Sequence, residues 1–428
     1  MFDIHFEKEA PAPLQIHSAR WVVPVSSPPI EHGGVAVFGN RVVAVGKTND
    51  LRVNLVDAQY IEHGDSIIIP GLINCHSHLE LSPLKWRLSP TGSFTAWIRN
   101  LIQARQNIEP HEYEKALEES VKTLYGNGVA GLGDTGNTSL VFDKAQSGPK
   151  LWPFSGIHFK EILHPMDKGL NELLDELQNA WDLEGRFKSS YSAHSVYTVS
   201  PEAIQLIKAR DSQLGLPFSI HVAESIDEIE FLRDSKGPIF DLLIEKGRNP
   251  KEFKIDSPSP VRLLQELEVL DDRTICVHCV HVDNFDIELL SSSKASVCLC
   301  PRSNMFLGVG TPPVEKLLNS GVNLALGTDS LASNDRLSIF AEMASLARQC
   351  PNLSPDLIFE AATIGGAKAL HLNGLGKLEQ GSLPYIYVIQ SGPVSSKELF
   401  DYLVFQVAET LPESYWAVEE GNWIKNYG

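Results

Sequence analysis

The 428-residue chain has no apolar run near the roughly 18 residues that a membrane-spanning helix requires. Its first ten residues are charged where a secretory leader would be apolar, so the expectation is a cytoplasmic protein without a membrane partner. Basic residues are in deficit: 36 Lys and Arg stand against 54 Asp and Glu, a formal net charge of −18. That balance argues against nucleic acid and against anionic membrane surfaces as partners. Cysteine is sparse, six residues in all, too few for a disulfide framework. Cys276-x-x-Cys279 and Cys298-x-Cys300 sit in apolar strand-like runs and read as buried reduced thiols rather than zinc or redox motifs. Tandem repeats and low-complexity tracts are missing too. What remains, 43% hydrophobic and 21% charged residues, is ordinary globular material, enough for one large domain and a smaller one.

The stretch Ile67–Glu80 begins apolar and β-branched, as a buried parallel strand does, and runs into His76-Ser77-His78. On an extended backbone residues i and i+2 point the same way, so both imidazoles face one point. Two converging imidazoles begin a transition-metal site, although one His-x-His taken alone could equally be a surface pair. Three later runs end in the same residue types. Phe218–Glu224 ends in His221 and Glu224, Thr274–His281 carries His278, and Leu324–Ser330 carries Asp329. A parallel α/β barrel gathers the C-terminal ends of its strands at one mouth, which brings such residues together from distant sequence.

In chain order, residues 1–66 read as short strands, including a hairpin across Gly33–Gly46 with a Gly39-Asn40 turn. From Ile67 the rhythm becomes strand then helix. Further strands are expected at Val129–Asp134, Phe154–Ile162, Ser189–His194, Phe218–Glu224, Thr274–His278, Ala295–Cys300 and Val322–Asp329, with helices at Glu112–Tyr125, Leu170–Trp181, from Ser200-Pro201, at Ile339–Arg348 and at Ser354–Ala369. Residues 67–372 therefore read as an α/β fold, a (β/α)₈ TIM-like barrel. Residues 373–428 return to short β runs, expected to pair with residues 1–66 in a small β domain built from both chain termini.

These motifs in this order resemble the amidohydrolase superfamily, in its branch of mononuclear aminohydrolases that holds deaminases and related chlorohydrolases. The resemblance implies His76, His78, His221 and Asp329 as metal ligands, Glu224 as general acid/base, and His278 as the histidine that contacts the attacking water. It also implies a catalytic role for Asp329. Three imidazoles and a carboxylate suit one divalent ion with a position left for water, which the ion makes nucleophilic near neutral pH. Zn2+ is the default by ligand type and Fe2+ fits equally. Ala193-His194 stands where binuclear members carry a lysine, which favours a single metal.

Within that branch, His76–Ser82, Ser93-Phe94-Thr95-Ala96-Trp97, His221–Glu230, Cys300–Asn304 and Thr328–Asn334 resemble the aminodeoxyfutalosine deaminases. The implied reaction converts 6-amino-6-deoxyfutalosine to futalosine and ammonia, in menaquinone biosynthesis. Gly381–Ile386 departs from the tail usual in the family. Other purine or pyrimidine deaminases (of adenosine, S-adenosylhomocysteine, guanine or cytosine) and chlorohydrolases are alternatives within the class. A non-catalytic ligand-binding barrel is the alternative outside it. The partner implied is a small nucleoside-like substrate, with a homodimer as the assembly common in the family.

For substrate binding the candidates are His194, Glu80, Glu161, Phe94 and Trp97. Each has a plainer reading. Phe94 and Trp97 could stack on a purine or simply pack against a neighbouring helix. Glu80 could reach a ribose hydroxyl or cap a loop, and Glu161 could touch substrate from the end of its strand. His281 competes with His278 as the water contact. His158 reads as a satisfied barrel histidine, His63 and His111 as solvated, Arg302 as a gate or a surface ion pair, and Asn304 and Asn334 as loop braces.

Overall fold

The computed structural model describes residues 13–146, 152–163, 186–248 and 257–418. These fall into two compact units. One comprises the chain up to Pro70, Lys377–Ser396 and the segment from Pro412; the other comprises Gly71–Gly376 with Lys397–Leu411.

The first unit is a seven-stranded sheet of β1 (Gln15–Val22), β2 (Ile30–Phe38), β3 (Arg41–Lys47), β4 (Gln59–Glu62) and β5 (Ser66–Pro70), completed near the C-terminus. β2 and β3 form the expected hairpin. β5 is apolar on both faces because it lies inside the sheet, parallel to β1 on one side. On its other side it pairs antiparallel with Ile386–Gln390. Val22, Val35, Val37, Ile68, Ile386 and Val388 form the core of this unit.

The second unit is the barrel. Its strands are β6 (Leu72–Ser77), β7 (Val129–Gly136), β8 (Ser155–Ile162), β9 (Phe187–Ser195), β10 (Phe218–Val222), β11 (Thr274–His278), β12 (Ser296–Leu299) and β13 (Asn323–Leu326). They are parallel neighbours in sequence order. The ring closes where Ser77 bridges to Asp329 and the Asp329 amide donates to the His76 carbonyl at 3.1 Å. Gly327 permits that closure, since a Cβ there would lie 2.8 Å from His76 Cβ and 2.9 Å from Cys298 Sγ. Helices cover the strands. The one at Pro201–Leu214 starts as its sequence asks, with Ser200 Oγ accepting from the Ala203 amide and proline in the first turn.

The strand expected to run unbroken from Ile67 is two strands. Ile67–Pro70 belongs to the first unit's sheet, and the barrel begins at Leu72. Pro70 brings no N–H to continue a ladder, and a uniformly apolar run carries no period to mark such a break. The tail also differs from the expected 373–428 block: β14 (Ile386–Gln390) and β15 (Ser414–Val418) pair in the sheet, but Lys397–Leu411 belongs to the barrel unit and buries Leu403 and Val404 there. The helix expected at Leu170–Trp181 lies outside the described residues. All six cysteines are buried and unpaired. No helix among the described residues is long and apolar enough to cross a membrane.

Candidate active site

Three histidines from two strands meet at the barrel mouth. His76 is in β6, His78 directly follows it, and His221 is in β10. The ring centroids of His76 lie 4.7 Å from His78 and 4.9 Å from His221. His78 Nε2 and His221 Nε2 are 3.4 Å apart, and His76 Nε2 is buried with no hydrogen-bond partner. Asp329 Oδ1 completes the group, 3.8 Å from His76 Nε2 and 3.7 Å from His78 Nε2.

The other ring nitrogens explain why these face inward. His221 Nδ1 donates to the His194 carbonyl at 2.8 Å, and His76 Nδ1 lies 3.5 Å from Thr135 Oγ1. A proton fixed on Nδ1 leaves a lone pair on Nε2, the form a metal ligand needs. Burial lowers the pKa of all three, His221 to about 4, so each is neutral near pH 7. Bare nitrogen lone pairs and a carboxylate oxygen turned on one another are mutually repulsive, and a divalent cation among them removes the conflict. The donor set therefore fits a metal.

Asp329 is held on every side. Ser303 Oγ donates to its Oδ2 at 2.5 Å and Ser333 Oγ at 3.1 Å, while the Ser330 amide donates to Oδ1 at 2.8 Å. Burial alone would raise its pKa, but the neighbouring His78 and His278 and the Ser303 hydrogen bond bring it below the usual carboxylate range. Asp329 and His278 both take left-handed backbone conformations, φ 53° and 73°. Such strain in non-glycine residues is typical of places where function dictates where a side chain points.

Beside this group, His278 Nδ1 donates to Asn304 Oδ1 at 2.9 Å, and its Nε2 is 3.5 Å from Glu224 Oε1. Burial, followed by the Asp329 charge, raises Glu224 well above the usual carboxylate range. The Glu224 amide donates to Glu228 Oε2 at 3.0 Å, and burial raises Glu228 to about 8.

A cavity of about 480 Å³ opens from this corner, a size suited to a small organic ligand. His78, His194, His221, Glu224, His278 and Asp329 line one end, and Phe94, Trp97 and Ile98 lie on the apolar wall. Phe94 and Trp97 are stacked, with centroids 6.4 Å apart. Trp97 Nε1 has no hydrogen-bond partner, although packing alone would usually supply one for a buried indole. His194 Nδ1 is engaged by Thr198 Oγ1 at 2.9 Å, and its ring lies 5.0 Å from that of His221. Glu161 lines the cavity with Oε1 unpartnered, and burial raises its pKa to about 8.

Glu80 lines the cavity too, but its oxygens are already engaged. Oε2 accepts from the Asn137 and Thr138 amides at 3.1 Å and from Thr138 Oγ1 at 2.9 Å, and Oε1 accepts from Arg105 Nη2 at 3.0 Å. It braces a loop at the mouth. Arg302 does not reach the cavity; it bonds Asn334 Oδ1 at 3.1 Å and pairs with Asp335. His281 Nε2 lies 2.9 Å from the Val309 carbonyl, and His158 pairs with Asp134 Oδ2 at 3.1 Å. His111 is exposed, but His63 is not simply solvated, since it bonds His17 and Tyr415. Sequence reasoning gave no part to Ser303, Asn137 or Arg105. For Ser303 a signal was present, because it follows a barrel strand whose C-terminal end must face the mouth.

Comparison with known proteins places this geometry. The chain is 30% identical over 353 residues to the aminodeoxyfutalosine deaminase of Deinococcus radiodurans, covering 79% of this chain and 81% of that one. It is 28% identical over 365 residues to a 5-methylthioadenosine/S-adenosylhomocysteine deaminase of Nitratidesulfovibrio vulgaris, covering 82% and 78%. Helicobacter pylori aminofutalosine deaminase, solved with methylthio-coformycin, shares the fold at TM-score 0.81 and 22% identity, over 91% of this chain and 96% of that one. Residues 67–410 match the model of the amidohydrolase family. The chain belongs to that family and is a hydrolytic enzyme.

Proposed function

We propose that this enzyme is a metal-dependent deaminase of an adenine-type base, with 6-amino-6-deoxyfutalosine as its leading substrate and futalosine and ammonia as products. The observation that carries this is the convergence of His76, His78 and His221 nitrogens and Asp329 Oδ1 beside Glu224, whose burial favours its protonated form.

His76, His78, His221 and Asp329 would hold one divalent ion, with zinc the default for this donor set. When bound, the ion supplies Lewis acidity that makes water nucleophilic near neutral pH. Glu224 gives its proton to the ring nitrogen next to the amino-bearing carbon, which leaves that carbon electron-poor. His278 and Asp329 orient the water, with Asn304 fixing the His278 tautomer. As the carbon–oxygen bond forms, Glu224 takes up the water's proton and passes it to the amino group. The carbon–nitrogen bond then breaks, ammonia leaves, and the hydroxyl left on the carbon gives up its remaining proton as the ring carbonyl forms, which restores the protonated Glu224. Phe94 and Trp97 offer the base an apolar face, and His194 and Glu161 present polar groups to it.

The 30% identity to an aminodeoxyfutalosine deaminase and the Ser93-Phe94-x-x-Trp97 segment support the leading substrate. The similarity to 5-methylthioadenosine/S-adenosylhomocysteine deaminases supports a second reading with the same chemistry on another 5′-substituted adenine nucleoside. Ammonia release from a panel of purine nucleosides, with and without chelator, tests the function. Release from only a pyrimidine or a triazine would reject it. Glu224→Gln should keep the ion while turnover falls on the order of 10³-fold; loss of the ion would instead make Glu224 a ligand.

A further inference from the structure

The cavity has a second polar feature that deamination of the base leaves unused. The helix Pro238–Glu245 gives the apolar wall Ile239, Leu242 and Leu243. It ends at Lys246, turns through Gly247 at φ 70°, and the Arg248 amide closes back on the Leu243 carbonyl at 2.9 Å. Arg248 therefore leaves a fixed backbone. Both Lys246 and Arg248 line the cavity.

Arg248 is half-buried, and its Nη1 is shielded from solvent without a hydrogen-bond partner. Neither cation has a carboxylate within ion-pair distance among the described residues. Of the cavity's acids, Glu80 pairs with Arg105, Glu224 and Asp329 face the histidine corner, and Glu161 lies beside that corner with Oε1 3.7 Å from His221 Nδ1. Arg248 and His194 line the same cavity. A desolvated guanidinium without a counter-ion is costly. Lys246 is exposed and has Glu245 next to it, so the unmet charge on this wall of the cavity is that of Arg248.

We propose that Arg248, with Lys246 beside it, recognises a carboxylate on the part of the nucleoside that extends past His194. This rests on the deaminase reading and narrows it to adenine nucleosides whose sugar substituent ends in an acid. An arginine presents a planar fork that suits a carboxylate, while the apolar wall of this helix accommodates the uncharged part between sugar and acid.

The test compares kcat/KM of wild type, Arg248→Gln, Arg248→Lys and Lys246→Gln on two carboxylate-bearing substrates, 6-amino-6-deoxyfutalosine and S-adenosylhomocysteine, and two neutral ones, 5′-methylthioadenosine and adenosine. Arg248→Gln should cost about 10- to 100-fold on the acidic pair, mostly through KM, and about threefold at most on the neutral pair. Arg248→Lys should recover part of the loss, and Lys246→Gln should lose less than Arg248→Gln. Equal losses on both pairs, or none on the acidic pair, would overturn the assignment. A preference for adenosine 5′-monophosphate over both acids would overturn the carboxylate in favour of a phosphate. Calorimetric binding to Glu224→Gln protein, with and without Arg248→Gln, reads the same discrimination without chemistry. Absence of ammonia from every compound would thus reject the deaminase reading, while a lack of binding preference for the acids would reject Arg248.

Discussion

The molecule contains two groups of buried histidines, and they differ in one respect that matters. In the sheet unit, His17 Nδ1 lies 3.0 Å from His63 Nε2, and His63 Nδ1 lies 2.8 Å from the Tyr415 hydroxyl. The two rings stack, with centroids 5.3 Å apart. At the barrel mouth all three imidazoles are buried, whereas His63 is only half-buried, but pKa values fall in the same direction in both groups. There, however, the nitrogens that bond to protein point outward and the free ones turn toward each other and Asp329. The sheet histidines spend three of their four nitrogens on one another and on Tyr415; the one buried nitrogen left over, His17 Nε2, faces no second free nitrogen of the pair, and no carboxylate is within ion-pair distance among the described residues. Burial and a lowered pKa therefore do not identify a site. Unsatisfied donor atoms aimed at one point, beside an acid, do.

The largest effect should come from removing a barrel-mouth donor. His221→Ala or Asp329→Asn should lose bound metal by elemental analysis and lower turnover on the order of 10³-fold or more, whereas His17→Gln should keep both metal and activity. Metal loss in His17→Gln would erase the contrast between the groups. Next is the outer bond that sets the tautomer: Asn304→Ala should lower kcat about 10- to 100-fold with the ion retained. An unchanged kcat would mean that His278 needs no such support.

The smallest effect belongs to the sheet pair. Burial, then the neighbouring His63, lowers His17 to about 4 from an ordinary 6.5. Between those values the unfolded chain binds the extra proton, so this contribution to stability is complete above about pH 6.5 and is lost as pH falls toward 4. It amounts to about 3 kcal/mol at most. Calorimetric melting of wild type against His17→Gln across that window should show the shallower acid slope in the variant. Parallel slopes would remove His17 from the account.

The barrel was legible in the sequence because several strands buried on both faces leave short apolar runs, and four of those runs stop at His, Glu or Asp. Thr274–His278 is observed with its expected bounds. The split at Pro70-Gly71 was not legible, since Ile67–Ile69 and Leu72–Ile73 are equally apolar and one of the two pairing partners of the first lies more than 300 residues away. The committed state of Glu80 was hidden for a similar reason, because it depends on Arg105 and on amides at Asn137 and Thr138 in other segments. Ser303 had only its place after a barrel strand to announce it, and Asn304 reads from sequence as a loop brace, with nothing to mark it as the partner of His278. Small polar residues that orient histidines and acids are defined by whom they meet in space.

The bridge between Ser77 and Asp329 has a mechanical consequence. The residue that fastens the last barrel strand to the first is also one of the four donors proposed for the metal, so on that proposal the clasp of the hoop and the chelating cluster are one object. Loading the cluster should tighten that seam, and stripping it should speed amide exchange at Asp329 ahead of the β8–β9 junction on another part of the ring.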